Sequence, residues 1–443
     1  MHLRYIITLL AFSTLHMLSG QGYDNSPYSR FGLGDPVNNN LYHSRQMGGL
    51  GAAYNDPYHI NIVNPASYSR LRAISFDLGV YGQFSNLSSG DQSDNISSGN
   101  LEYISFGIPL SNPVNEILER EERNYSLSMA FTLMPHTRVG YNISSFEETE
   151  NFGTIERNFR GEGGSFKFLW GNSVRYKDFS FGVNLGYVFG RINYERNVLY
   201  DPSQFAFNNL FNTEFSLSGT LYNVGFLYSG ILNKKALEER RNVNAKRLSV
   251  GIHFGSQTSF STEGRITEIA LQQVAANQVV SDTLSFTTGL EGSGTLPGEF
   301  GIGAMYQYGE RYSIGVNYSS TFWSQYENEI NPSSLTDSRT VSIGGSFRPN
   351  FQSQNSYWER VYYRAGFFHT KDPRSINNTE INSYGINFGF GLPFIYQRKI
   401  SHANLGLELG RRGQNTAISE SYLRVTLGFN FNDTDWFLKR KYD

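Results

Sequence analysis

The side chains best suited to metal or proton chemistry are the histidines at His43, His59, His136, His253, His369 and His402. None is spaced for a metal. A helical zinc site takes two histidines one turn apart with a carboxylate between them, and no such pair occurs. Gly90–Asn95 carries Asp91, Asp94 and Asn95, the ligand types of a calcium loop. The glutamate that should close the coordination shell is missing at its offset, Glu102 being the only one near, so the plainer reading is a hydrated external loop. His253 lies near Ser249 and Ser256, residue types that could pair as base and nucleophile. No Gly-x-Ser-x-Gly elbow and no phosphate-binding loop accompany them. The chain has no cysteine, which excludes disulfides, thiolate metal sites, cysteine nucleophiles and a lipid-modified N-terminal cysteine. The expectation is a protein that is not an enzyme and that carries no metal and no cofactor.

What the residues do show is a two-residue rhythm. Leu423, Val425, Leu427, Phe429 and Phe431 alternate with Tyr422, Arg424, Thr426, Gly428 and Asn430. Phe179, Phe181, Val183, Leu185, Tyr187 and Phe189 alternate with Ser180, Gly182, Asn184, Gly186, Val188 and Gly190. Strands send successive side chains to opposite faces, so each segment has a greasy side and a wet or small side. No helix-rich stretch supplies a second layer to cover the greasy side. A closed barrel with lipid outside resolves this.

The 443 residues exceed a usual single soluble core but suit one large barrel. Tyr at 29, Phe at 34 and Gly at 45 fit strands, membrane interfaces and tight bends. Mean hydropathy is negative, because alternate residues cancel in any averaging window. The formal net charge of −2 gives no reason to expect nucleic acid. Arg4, the apolar run Tyr5–Leu18 and the small pair Ser19–Gly20 read as a secretory signal cleaved before Gln21. No later run is apolar over the roughly 20 residues of a spanning helix. Export without a spanning helix points to the bacterial outer membrane.

The expected organisation is a signal at 1–20, an irregular segment at 21–71, a transmembrane β-barrel at 72–432 and a periplasmic tail at 433–443. Segment 21–71 is rich in turn chemistry, such as Asp35-Pro36, Asn38-Asn39-Asn40 and Asn64-Pro65, and is read as packed against or inside the barrel. About fourteen strand signals follow, near 73–85, 99–110, 124–142, 160–173, 178–199, 209–230, 246–263, 297–308, 311–327, 337–348, 357–371, 381–393, 400–412 and 417–431. An even number places both chain ends on one side. If the first strand runs outward, the external loops are 86–98, 143–159, 200–208, 264–296, 328–336, 372–380 and 413–416. Two inner connections, Ile117–Arg123 and Lys234–Arg241, look helical and charged, and read as solvated turns or as a binding patch. Inward positions such as Ser249, Gly251, His253 and Gly255, or Ser313, Gly315, Asn317 and Ser319, are small, which leaves a lumen that the N-terminal segment could fill. Trp436, Phe437 and Leu438 followed by Lys439, Arg440 and Lys441 suit an interface anchor or a docking tail.

Met47-Gly48-Gly49-Leu50-Gly51-Ala52-Ala53-Tyr54, then Asp56, then Asn64-Pro65-Ala66, resembles the N-terminal hatch signature of FadL-type long-chain fatty acid transporters. The resemblance implies an all-β, fourteen-stranded antiparallel barrel plugged by a hatch. It also implies hydrophobic ligands that leave sideways through a gap in the wall. It makes Gly48, Gly49, Gly51, Asp56, Asn64, Pro65 and Ala66 the candidate gating residues. The same residues have a purely structural reading. The glycines permit close packing and unusual backbone, and Pro65 holds Asn64 extended so that it can bond its own neighbouring backbone. The stretch Tyr28–Gly34 and the residues after Phe431 depart from the transporter pattern. PorV-type accessory barrels of type IX secretion are similar relatives that act with protein partners. The expected function is therefore an outer-membrane channel for hydrophobic compounds such as long-chain fatty acids, gated by the hatch. The alternative is an accessory barrel in secretion or envelope assembly. Expected partners are outer-membrane lipid, a hydrophobic small molecule and, on the alternative, a periplasmic or secretion-system protein.

Overall fold

A computed structural model describes residues 26–111, 124–150, 153–200, 206–239, 244–275, 278–376, 379–396 and 399–434. The expected signal at 1–20, the stretch Ile117–Arg123 and the tail from Trp436 lie outside the described residues. Eighteen strand segments form one antiparallel sheet. β1 (Asp35–Pro36) belongs to the N-terminal segment. The wall runs β2 (Ile74–Ser89), β3 (Gln92–Pro109), β4 (Tyr125–Thr149), β5 (Gly153–Tyr176), β6 (Phe179–Leu199) and β7 (Asn208–Ile231). It continues with β8 (Lys246–Gly255), extended by β9 (Thr258–Ala275), and β10 (Gln278–Leu296), extended by β11 (Glu299–Tyr308). β12 (Tyr312–Thr321), the short β13 (Glu327–Asn328), β14 (Ser338–Phe347), β15 (Tyr362–Ile376), β16 (Thr379–Tyr396), β17 (Lys399–Arg412) and β18 (Ser419–Asp433) complete it. β8 with β9 and β10 with β11 each act as one barrel strand, so the wall has fourteen. It closes where β18 pairs with β2, from Ser419↔Ser88 to Asp433↔Ile74.

The predicted alternation sets the faces. Phe179, Phe181, Leu185, Tyr187 and Phe189 are exposed outward, while Ser180, Asn184 and Val188 are buried inward. Direct cross-strand partners Tyr125, Tyr176, Phe179 and Tyr228 form an aromatic row at the lower rim. Tyr308, Tyr312, Phe347, Tyr363 and Phe390 form another. Amphipathic rings in such rows mark a membrane interface. Among the described residues no helix is long and apolar enough to cross a membrane.

Strand lengths are uneven. β12 and β14 have 10 residues each, enough to cross a bilayer at a tilt. β4 has 25 and β5 and β7 have 24 each, so these strands rise well beyond it. The upper parts of β4–β7 with β9 and β10 form a six-stranded sheet above the membrane. Its inner face carries Val139, Tyr141, Val188, Ile192, Phe215, Leu217 and Phe260, which pack on Leu33, Trp323 and Tyr326.

This corrects the expected external loops. Segments 86–98, 143–159, 264–296 and 372–380 are largely paired strand among the described residues. Above the membrane both faces can meet water, so the apolar rhythm fades although the backbone ladder continues. Apart from Asn328, which ends β13, segments 328–336 and 413–416 are loops as expected. At the lower rim Lys234–Glu239 is a short helix with no buried residue.

Candidate functional site

The N-terminal segment lies in the lumen, and the inward glycines of the wall show how closely it fits. A Cβ on Gly48 would stand 2.7 Å from the Phe367 carbonyl of β15, and one on Gly303 of β11 would stand 3.2 Å from Ala52 Cβ. Gly182 of β6 faces Pro65 and Ala66, Gly389 of β16 faces Gln46, and Gly428 of β18 faces Tyr42. Contacts from so many strands around the ring place the segment inside it. Its apolar side is buried too: Leu41, Tyr42, Ile60, Ile62, Tyr68 and Leu71 pack with Tyr103, Ala130, Met134 and Leu169 of the wall.

The seven predicted residues divide. Gly48 and Gly49 have φ of +78° and +92°, a region that side chains disfavour, and both border the luminal cavity. Gly51 turns inside the segment against Val63 and Asn40. Asn64 caps the 3₁₀ turn Pro65–Arg70, its Oδ1 accepting from the Ala66 N–H at 3.1 Å. Its Nδ2 donates to Ala52 O at 2.6 Å and to Phe226 O of β7 at 3.1 Å, which ties segment to wall. Ala66 is fully buried. Asp56 lies near the lower rim, accepting from Tyr58 N–H at 2.8 Å and contacting His59 Nδ1 at 2.9 Å. Burial opposes its charge, but His59 outweighs burial and holds the carboxyl below its usual range.

Sequence reasoning missed the ion pairs. Arg45 of the segment contacts Glu102 of β3 at 2.5 Å and Glu408 of β17 at 2.9 Å, all three buried. Tyr422 and Asn387 also donate to Glu408, at 3.0 and 2.9 Å. Burial disfavours the Arg45 charge, yet Glu408 and then Glu102 hold its guanidinium above its ordinary range. Higher up, Asp35 of β1 is gripped by Arg374 at 2.7 Å and Arg412 at 2.8 Å, which share Asp372. A signal existed: Glu408 sits between Leu407 and Leu409 on the inward parity of its strand. His43, His59 and His402 form a third cluster, buried, with ring centres 5.0 and 5.2 Å apart. Both ring nitrogens of His43 and His402, and Nε2 of His59, lack partners. Burial, then His59 and Arg364, push His43 well below its usual range. Among the described residues no group of His, Asp and Glu is arranged to hold a metal. His253 does not meet the serines near it. Ser249 bonds Ser229 and Asn55, and Ser256 bonds Gln257. Asp91 and Asp94 lie on the β2–β3 hairpin, where Asn95 pairs with Asn86 across the strands at 2.9 Å.

The wall itself is split at one seam. β3 and β4 pair only from Ile104↔Leu133 to Pro109↔Ser128, although both continue far above. Pro135, which has no N–H, follows just past the last pair, and His136 is bulged out of the β4–β5 register. On the other side Glu102 is the extra residue in a bulge of the β2–β3 ladder. Above the split, β4 bonds the N-terminal segment instead. Asp35 and Pro36 pair with Arg138 and Thr137, and Ser26 N–H donates to Gly140 O at 2.7 Å. The Tyr81 ring closes the inner side between Arg138 and Arg424, 4.5 and 4.6 Å away. A luminal cavity of about 400 Å³ reaches this seam, with Ile96 and Ser98 on the β3 side and His136 and Arg138 on the β4 side. Charged residues line much of it, among them Lys167, Glu299, Glu408, Arg412, Glu420 and Arg424.

Solved barrels share this architecture. The crystal structure of a Pseudomonas aeruginosa FadL homologue aligns with a TM-score of 0.57 at 12% identity, over 90% of this chain and 99% of that one. The Pseudomonas putida toluene transporter TodX aligns with 0.55 at 16% identity, over 88% and 97%. The monoaromatic hydrocarbon channel CymD aligns with 0.52 at 14% identity, over 91% and 98%. No curated protein matches the chain in sequence. Identities this low speak for the fold, which is that of FadL-type barrels of the outer membrane. The whole chain, residues 1–443, matches the family model described as BamG, and the protein belongs to the BamG family.

Proposed function

We propose that this barrel passes hydrophobic compounds with a polar end, long-chain fatty acids among them, through its lumen, with the N-terminal segment as the gate. The split between β3 and β4 carries this reading, because it joins a luminal cavity to a break in the wall at membrane height. The cavity's charge assigns the ends of the ligand. Lys167 of β5, with His136 and Arg138 on the β4 side of the seam, suits the carboxylate of such a ligand. Gly48 and Gly49 give the segment the backbone freedom to shift. Relatives in fold are named for toluene and monoaromatic hydrocarbons. The test uses the absence of native cysteine. A Cβ on Gly303 would stand 3.2 Å from Ala52 Cβ, so Ala52→Cys with Gly303→Cys ties the gate to β11. Oxidised cells should take up radiolabelled oleate no faster than cells lacking the gene, and reduction should restore uptake. Equal uptake with and without the gene, for oleate and for toluene, would reject transport.

A second reading, an accessory barrel that works with protein partners, is favoured by a different observation. Ion pairs at Arg45 and Asp35 lock the segment, and a six-stranded sheet rises above the membrane beyond what a pore requires. Crosslinking in cells followed by purification should then recover a stoichiometric partner. A barrel recovered alone would count against it.

A further inference from the structure

The outer wall carries an amphipathic groove of about 890 Å³ across β15–β18, β2 and β3. Its floor is a chain of direct cross-strand partners: Phe367, Ile386, Leu409, Leu423 and Phe84. Most of these side chains are exposed, Phe84 at 58% and Leu409 at 54%, so lipid is the solvent they meet. Two residues higher the wall turns polar. Arg411 lies beside Tyr384 and Ser421, and Ser421 beside Asn86. The next outward positions hold Lys371 and its direct partner Arg339. Lys371 already pairs with Glu380 at 2.5 Å, and Asp337 accepts from the Ser324 hydroxyl at 2.7 Å. Among the described residues, no acid pairs with Arg339 or Arg411.

We propose that this groove holds a membrane lipid of the outer leaflet whose headgroup carries phosphate. The acyl chains lie on the floor from Phe367 to Phe84. The phosphate sits at the upper mouth beside Arg411, which lines the groove, and Lys371 and Arg339 add positive charge two and three strands away, at the next outward level. The charge fits an anion, and the step from apolar to cationic within two residues fits an amphiphile standing upright at the interface. A free anion would leave the apolar floor uncovered. A neutral lipid would leave two guanidinium groups at the interface without a counter-charge.

The test is native mass spectrometry of the full chain purified in detergent, with added lipid A or the same lipid stripped of phosphate. Wild type should retain the phosphorylated lipid, and Arg339→Gln with Arg411→Gln should lower the bound fraction roughly tenfold or more. Lys177→Gln with Lys235→Gln removes equal charge at the lower rim and should leave retention unchanged. Heat-modifiable gel mobility checks that every variant still forms the barrel. Excess inorganic phosphate should not displace the lipid. Equal retention by wild type and the arginine variant, or equal retention of the two lipids, would overturn the proposal. Displacement by inorganic phosphate would overturn it in favour of a free-anion site. This outcome is independent of oleate uptake, which reads the lumen.

Discussion

Arg45 shows how one side chain couples the segment to the wall. It bridges Glu102 and Glu408 with little solvent contact. Removing one partner of a buried ion pair leaves an uncompensated charge and costs about 3–5 kcal/mol. Arg45→Ala should therefore lower the temperature at which the barrel loses its fast-migrating gel form, and should expose the segment to protease. Glu102→Gln should do less, because Glu408 still answers Arg45. An unchanged midpoint for Arg45→Ala would show that the bridge contributes nothing. His43 adds a dependence on pH. Its folded affinity for protons is far below that of an unfolded histidine, so the unfolded chain binds the proton first. Stability is full above about pH 6.5 and falls below it, by up to about 1.4 kcal/mol per pH unit. Asp56 is held low, so its contribution is lost only at more acidic pH, below about 4. Melting in detergent at about pH 7.5 and pH 5 should show the loss, and His43→Gln should reduce it. Parallel curves for wild type and His43→Gln would assign the effect elsewhere.

The strands account for what could be read without coordinates. Wherever lipid lies on one side and lumen on the other, the two-residue rhythm appears, and each of the fourteen expected segments overlaps a wall strand, with ends that differ by several residues. The rhythm fails above the membrane, which is why 264–296 read as a loop although it is mostly the β9–β10 hairpin. The site was legible in part. The turn chemistry of Asn64 and Pro65 is local and visible, whereas Arg45–Glu408 joins residues 363 apart and no spacing rule reaches that far. The β3–β4 split was hidden for the same reason, since Pro135 marks a weak point without naming the partner strand. If the tall hairpin stands clear of the membrane, replacing Ile266–Thr287 by Asn-Gly should leave a heat-modifiable barrel. The core residues Phe260 and Leu296 lie below that cut. Loss of insertion would mean that the hairpin nucleates the wall. On the second functional reading, the trimmed chain should also lose its crosslinked partner.

At the scale of the molecule, membrane, lumen and surface place different demands on one sheet. The wall gives lipid its greasy side and turns small or charged residues inward. The segment occupies the space thus left, through apolar packing below and ion pairs above. The outer groove adds a third surface, independent of the lumen. The fold is shared with solved hydrocarbon channels, and on it this chain carries a charged cavity and a sheet raised above the membrane.

The seam between β18 and β2 joins the last wall strand to the first, and it encircles residues made before either. Biogenesis therefore has an order written into connectivity. The segment ahead of β2 avoids threading only if it is already coiled in place when the final strand zips home. A cylinder sealed around water could be filled later only by threading the segment in from an open end.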